Sequence, residues 1–241
     1  MGTQNRVARP FPSACPLCLQ ETLLIIDNLI VGPFAVNTYL VYGRPGGDAV
    51  IIDPGADPEE ILSTVAEKRL NVTHILNTHG HGDHIGANAF VKQIFPRAKI
   101  CIHHRDAHML TDSDANFPAA FGFEITSPPA DVLLEGDTRI TAAGISIRVE
   151  HVPGHTPGSV CFIPEDGPSS VFTGDTLMAG TIGRTDLAGG NGGLLLSSIA
   201  DKILTLPDET AVYPGHGMAT TVGAEKRNNS FISSNPDARG P

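Results

Sequence analysis

The sequence is short of positive charge. It sets 16 Lys and Arg against 26 Asp and Glu, a formal net charge of −10 at neutral pH, and shows no clustered basic face of the kind that binds phosphate backbones, which argues against nucleic acid as a partner. No apolar run approaches the roughly 20 residues of a membrane span. The N-terminus lacks a basic-then-apolar signal pattern, because Asp27 cuts the run from Leu23 to Ile26. The expectation from these absences is a soluble, cytoplasmic protein with no membrane partner. Four cysteines do not make a disulfide framework in 241 residues. Cys101 and Cys161 sit in strand-like apolar runs and read as small buried hydrophobes. Cys15 and Cys18 form a C-x-x-C pair in a Pro-rich leader, with no second pair to complete a zinc site and no strand-to-helix setting for a redox pair. Internal repeats and low-complexity tracts are absent as well, and the oligomeric state is left open.

What is present is an ordinary globular composition, 41% hydrophobic and 17% charged, in a chain long enough for one α/β domain. Residues 1–21 read as an N-terminal extension, flexible or laid over the surface, and 22–241 as the folded domain. Leu23 to Val31, Asn37 to Tyr42 and Ala49 to Asp53 are β-branched or apolar runs bounded by Gly, Pro and Asn, which predicts a strand meander. Asp57-Pro58-Glu59-Glu60 supplies an N-cap, a proline at the first helical position and an acid three residues after the cap, so a helix is expected to about Lys68. Thr73 to Asn77 reads as a strand, about Ile85 to Phe95 as a helix and Lys99 to His103 as a strand. A short helix and a loop that borders a pocket are expected over 104–130. Val132 to Val152, Val160 to Ile163 and Ser170 to Phe172 are again β, followed by a helix to about Leu204, a strand at Ala211 to Tyr213 and a helix from Val222 to Asn229. Strands interleaved with helices in two similar halves predict an α/β fold of two packed sheets with helices outside.

One stretch is denser in chemistry than any structural need explains. Thr78-His79-Gly80-His81-Gly82-Asp83-His84 holds four possible metal ligands within six residues. Neutral imidazole and carboxylate are ligands for first-row metals, and residues two apart in an extended segment project to one side, so His79 and His81 can reach one ion. Gly80 and Gly82 allow turns tight enough to aim Asp83 and His84 at a second ion. Three later stretches supply more ligands at strand ends flanked by glycine: His155 in Pro153-Gly154-His155-Thr156-Pro157-Gly158, Asp175 in Thr173-Gly174-Asp175, and His216 in Tyr213-Pro214-Gly215-His216-Gly217. A rigid sheet holds such a ligand in place while the turn aims it. Five histidines and two aspartates suffice for two ions that share one carboxylate. The other histidines have plainer readings. His74 is expected in the core or supporting the cluster, His103, His104 and His108 solvated or hydrogen-bonded, and His151 supporting the loop of His155.

The H-x-H-x-D-H cluster, Asp53 in an I-I-D-P-G turn, P-G-H-T-P-G-S, T-G-D and Y-P-G-H-G, in this order, resemble the metallo-β-lactamase superfamily. Gly183-Arg184-Thr185-Asp186 and the segment from Leu206 to Arg227 resemble its short bacterial glyoxalase II-like hydrolases. The resemblance covers about residues 22 to 232. It implies a four-layer αββα sandwich of two mixed sheets, with His79, His81 and His155 on one divalent metal, Asp83, His84 and His216 on a second, and Asp175 bridging. Zinc is the first choice of metal, with iron and manganese served by the same donors. Asp53 is implied to orient the histidine loop. The familiar zinc β-lactamases have a cysteine at the corresponding ligand, so Asp175 points away from antibiotic hydrolysis. The implied reaction is attack of a metal-bridging hydroxide on a small anionic thioester, giving a hydroxy acid and a thiol, with Asp83 orienting the hydroxide or accepting its proton. Metal coordination lowers the pKa of water from near 16 toward about 7, and two ions less three negative charges leave roughly +1 to favour an anionic substrate. Arg184, Lys226 and Arg227 are candidate contacts to that substrate, although Arg184 is equally placed to pair with Asp186, and Lys226 and Arg227 to form a solvated helix face. Full-length glyoxalase II enzymes continue into a helical domain that helps bind glutathione, whereas this chain ends about 25 residues after His216. The alternatives are a persulfide dioxygenase with one ferrous ion on His79, His155 and Asp175, and a lactonase on the same metal pair.

Overall fold

The apolar runs are continuous enough to be buried on both faces of a sheet, and the structure uses them so. In the computed structural model, which describes residues 24–117 and 124–233, β1 (Ile25–Val31), β2 (Val36–Tyr42), β3 (Asp48–Ile52), β4 (Asn71–Leu76), β5 (Lys99–His103) and β6 (Val132–Leu134) form one sheet in chain order. The first three are antiparallel and the rest join in parallel. Parallel steps need crossovers. Helix α1 (Pro58–Glu67) makes the first, and α2 (Gly82–Ile85) with α3 (Asn88–Ile94) the second. The other sheet contains β7 (Thr138–Ala142), β8 (Ile145–His151), β9 (Val160–Pro164) and β10 (Ser170–Gly174) as an antiparallel meander. A small ribbon of β11 (Leu177–Met178) and β12 (Thr181–Ile182) and helix α4 (Gly192–Ser198) then lead to β13 (Ala211–Pro214), parallel to β10, and the edge strand β14 (Thr220–Thr221). Helices α5 (Val222–Asn228) and α6 (Ser230–Ser233) close the described chain. The expected leader with Cys15 and Cys18 lies outside the described residues.

Alternation along the strands sorts the apolar side chains into three cores. Tyr39, Val41, Val50, Ile52 and Leu76 meet Ile147, Val149, Val160, Phe162 and Phe172 between the sheets. Leu40, Ala49, Ile51, Ile75 and Ile100, on the opposite face, pack under Ile61, Val65 and Val91 of the helices. Ile163, Val171 and Val212 do the same under Leu195, Ile199 and Val222. The result is the four-layer αββα sandwich, in which each fully buried Leu, Ile or Phe contributes about 1.5–3 kcal/mol. Cys101 and Cys161 are buried as free thiols, and burial pushes the Cys101 thiol up to about 12. Among the described residues no helix is long and apolar enough to cross a membrane.

Two local expectations fail for the same reason, close packing around residues 54–57. The helix expected from Ile85 to Phe95 forms only over α3, Asn88–Ile94, and a separate helical turn, α2, ends at Ile85. Gly86 passes so near Gly55 that a Cβ there would stand 2.3 Å from the Gly55 carbonyl oxygen, and Ala87 donates its N–H to the Pro54 carbonyl at 2.9 Å. Asp57 stands at the N-cap of α1 with a left-handed φ of 46°, and its side chain makes no cap. Its carboxylate instead accepts from the Gly32 N–H at 2.8 Å, tying the turn between β1 and β2 to the start of the helix.

Candidate metal centre

The carboxyl ends of β3, β4, β8, β10 and β13 lie at one edge of the sandwich, the edge at which α/β sheets place their ligand sites. Asp53 follows β3, the histidine cluster follows β4, His155 follows β8, Asp175 follows β10 and His216 follows β13. His79, His81, His84 and His155 are buried, while Asp83, Asp175 and His216 keep partly exposed side chains, at 16%, 13% and 27%. Gly215 permits the close approach: a Cβ there would stand 2.5 Å from Asp175 Oδ1 and 2.7 Å from His84 Cε1.

The seven candidate ligands fall into two clusters with Asp175 between them. In the first, His81 Nδ1 lies 3.0 Å from His79 Nε2 and 3.0 Å from His155 Nε2. In the second, Asp83, His84 and His216 bring their donor atoms within 4.8 Å of one another. Asp175 turns one oxygen to each. Its Oδ2 is 3.5 Å from His155 Nε2, and its Oδ1 is 3.5 Å from His84 Nε2 and 3.6 Å from His216 Nε2.

The neighbours of each ring decide which nitrogen faces the centre. His155 donates from Nδ1 to the Arg184 carbonyl at 2.8 Å, and His216 from Nδ1 to the Phe34 carbonyl at 3.0 Å. His84 Nδ1 is 3.0 Å from Asp53 Oδ2. The Thr78 hydroxyl donates to Asp53 Oδ2 at 2.6 Å, so its oxygen is left to accept from His79 Nδ1 at 3.0 Å. Four rings therefore turn Nε2 toward the centre, and His81 turns Nδ1. Such outer partners set the tautomer and aim of metal-binding histidines. Asp53 is a hub rather than a ligand, since Oδ1 also accepts the Thr78 N–H at 2.7 Å. It holds this position with a left-handed φ of 48°, a strain that surrounding contacts must sustain.

Charge completes the picture. Burial, then the neighbouring imidazoles, hold His79 far below the ordinary histidine range and His81 down to about 3, so both stay in the neutral form that binds metal. For His84 burial opposes a proton, but Asp83, Asp175 and Asp53 outweigh it and raise the ring to about 10. His216 is raised in the same way by Asp83 and Asp175 against its burial. Asp83, despite burial, is held well below the usual carboxylate range by His84 and His216. This second cluster attracts positive charge. Among the described residues, His84 Nε2 and Asp175 Oδ1 are also buried with no hydrogen-bond partner, a costly condition for polar atoms unless a cation sits between them. The donor set therefore fits divalent metal.

The remaining sequence candidates lie elsewhere. Arg184 forms a two-pronged pair with Asp186 at 2.8 Å for both contacts, and its guanidinium lies 5.4 Å from the centre of the Phe117 ring, which in turn stands 5.7 Å from the ring of His81. Lys226 pairs with Asp208 at 2.7 Å and Arg227 approaches the same carboxylate at 3.8 Å. The His74 ring lies 2.9 Å from the Thr73 hydroxyl. His151 braces the loop of His155 through the Pro157 carbonyl at 3.0 Å and stacks on His103 at 4.2 Å. The backbone carbonyls of Phe34 and Arg184 carry no side-chain signal that a sequence could show, and the role of Thr78 depends on where Asp53 lies.

Comparison with known proteins agrees with this geometry. The family model of the metallo-beta-lactamase superfamily matches residues 31–216. An uncharacterised protein of Mycobacterium tuberculosis is 42% identical over 87% of this chain and 98% of its own length. Hydroxyacylglutathione hydrolase GloC of Haemophilus influenzae is 39% identical over 87% of this chain and 98% of its own. Among solved structures, the B3 metallo-beta-lactamase BLEG-1 has a TM-score of 0.82 at 39% identity, covering 87% of this chain and 100% of that one. TTHA1623 in a di-iron-bound form has a TM-score of 0.76 at 38% identity, covering 86% and 100%.

Proposed function

The chain belongs to the metallo-β-lactamase superfamily of metal-dependent hydrolases, and from that premise we propose that it is a dinuclear thioesterase of the glyoxalase II type. It would cleave a small anionic S-2-hydroxyacyl thiol conjugate to a hydroxy acid and a thiol. One observation carries the reading: the two oxygens of Asp175 face two separate ligand clusters. A donor set for a single ion would have no use for the second. In this reading His79, His81 and His155 hold one ion, Asp83, His84 and His216 the other, and Asp175 both. The ions, zinc as first choice, supply water ionised near neutral pH and positive charge for the carbonyl oxygen.

The chain's own groups do the rest. Asp53 and Thr78 fix the orientation of the His84 and His79 rings that would hold the ions. Asp83, partly exposed, is placed to orient the attacking water or take its proton. Arg184 can exchange Asp186 for a substrate carboxylate at little cost, because that pair is solvent-exposed and therefore weak. Lys226 and Arg227 pair with Asp208 before the start of β13, at the end of that strand away from His216, and take no part in this reading. A cleft of about 180 Å³ lined by Val31, Phe34, Val36, Ala56 and Ile125 reaches Asp83 and offers space for the acyl portion. The 39% identity to GloC supports the thioester, and we place the protein in the cytoplasm.

A second reading is a mononuclear iron persulfide dioxygenase on His79, His155 and Asp175; the di-iron-bound form of TTHA1623 bears on it only through the identity of the metal, since two ions there match the dinuclear count. The deciding experiment is elemental analysis of protein purified without added metal, paired with S-lactoylglutathione turnover. About two ions per chain with turnover, both lost in Asp175→Ala, supports the hydrolase. One iron per chain, no thioester cleavage and oxygen uptake with glutathione persulfide supports the dioxygenase, and nitrocefin cleavage without thioester turnover would make the β-lactam the substrate.

A further inference from the structure

Asp106 stands at the turn after β5 with its side chain fully buried, among backbone and hydroxyl donors. Its Oδ2 accepts from the Gly80 N–H at 3.2 Å and the Thr156 hydroxyl at 2.6 Å, and its Oδ1 accepts from the Gly158 N–H at 2.7 Å. These donors belong to two loops from two sheets. Gly80 separates His79 from His81, and Thr156 follows His155. The loops are already joined at their base, where Val160 donates to the Thr78 carbonyl at 2.8 Å. Asp106 joins them at their tips.

The packing leaves no slack at this joint. A Cβ on Gly158 would stand 2.6 Å from Asp106 Cγ, and one on Gly80 would stand 2.6 Å from Met109 Cβ, in the helical turn that follows Asp106. Ser159 adds to the joint, its hydroxyl 2.7 Å from that of Thr156 and accepting the Thr156 N–H at 3.1 Å. The three imidazoles of the first cluster come from two segments far apart in sequence, and a shift of one segment against the other opens the 3.0 Å spacing of His81 and His155.

We infer that Asp106, acting through Gly80, Thr156 and Gly158, is the positioning residue that sets the spacing of the His79, His81 and His155 cluster and so the affinity of the ion held there. This rests on the metal-site part of the proposed function and is independent of the reaction. The second cluster receives none of these bonds, so the effect is selective for one ion.

The test measures Zn²⁺ affinity of the full chain by chelator competition, in the wild type and in Asp106→Asn, Thr156→Val and Asp131→Asn. Thr156→Val removes one arm of the brace with little change of shape. Asp131 is the control. It accepts from Ile100 N–H at 2.8 Å and Lys92 at 2.7 Å beside the same strand without bonding either ligand loop. Loss of an outer partner typically weakens metal binding 10–100-fold. A weakening of about that size is expected for one ion only in Asp106→Asn and Thr156→Val, with wild-type affinities in Asp131→Asn and an unchanged melting temperature of metal-free Thr156→Val. Unchanged affinities in Thr156→Val and Asp106→Asn, equal weakening of both ions, or an equal loss in Asp131→Asn overturns the assignment. A chain that binds both ions yet cleaves no thioester sinks the reaction proposed above and leaves this assignment standing, whereas a wild type that binds no ion sinks both.

Discussion

Asp53 Oδ2 stands 3.0 Å from His84 Nδ1, and the same carboxylate holds the Thr78 hydroxyl at 2.6 Å. One residue outside both ligand clusters thereby aims a ring of each, His84 directly and His79 through Thr78. Asp53→Ala is expected to weaken binding of both ions by about 10–100-fold, in contrast to the one-ion effect expected at Asp106. Chelator competition reads both, and a loss confined to one ion would remove Asp53 from its shared role.

Two glycines separate steric crowding from backbone strain. A Cβ on Gly55 would stand 1.9 Å from the Asp83 carbonyl oxygen, whereas Gly46, with φ +74°, has open space around it. Gly46→Ala should cost about 1–2 kcal/mol for its left-handed backbone. Gly55→Ala should cost more than that and at least the 1–3 kcal/mol typical of overpacking, and it should disturb metal binding through Asp83. Equal shifts in the urea midpoints would contradict the distinction.

The inter-sheet core depends on Phe172, which is 1% exposed and has Tyr39 and Tyr213 ring centres at 5.1 Å and 5.2 Å. Phe172→Ala should destabilise the fold by about 3–5 kcal/mol, the usual cost of emptying such a site. Chemical denaturation measures it, and a loss under about 1 kcal/mol would mean that the two sheets close over the gap.

His103 provides a pH dependence away from the metal centre. Burial, then the nearby His151 and His104 rings, lower it to about 4 from an ordinary value near 6.5. A depressed folded-state pKa means that the unfolded chain binds more protons between those values, so the stability His103 contributes is full above about 6.5 and is lost as pH falls through about 4. The stability difference between wild type and His103→Gln should therefore shrink as pH falls from 7 to 4, and a difference independent of pH would refute the assignment.

Much of this molecule is determined by short-range pattern. The ligand types and their strand-end placement were legible because each candidate, His79, His81, Asp83, His84, His155, Asp175 and His216, is embedded in glycine-rich punctuation after an apolar run, whereas β2 and β3 are apolar on both faces, and only the packed sheets show which residues face which layer. Sequence alone did not decide the break between α2 and α3, where the Ala87 N–H, which a continuous helix would give to the Asp83 carbonyl, goes instead to the carbonyl of Pro54. Nor did it decide the role of Asp57, whose partner Gly32 lies 25 residues away. The nitrogen each histidine presents was equally invisible, since it is chosen by the Phe34 and Arg184 carbonyls, 182 and 29 residues from His216 and His155. Residue identity determines which donors exist, and local periodicity determines where strands end. Orientation is a long-range property, set by hydrogen bonds between segments that meet only after both sheets have closed on a common core.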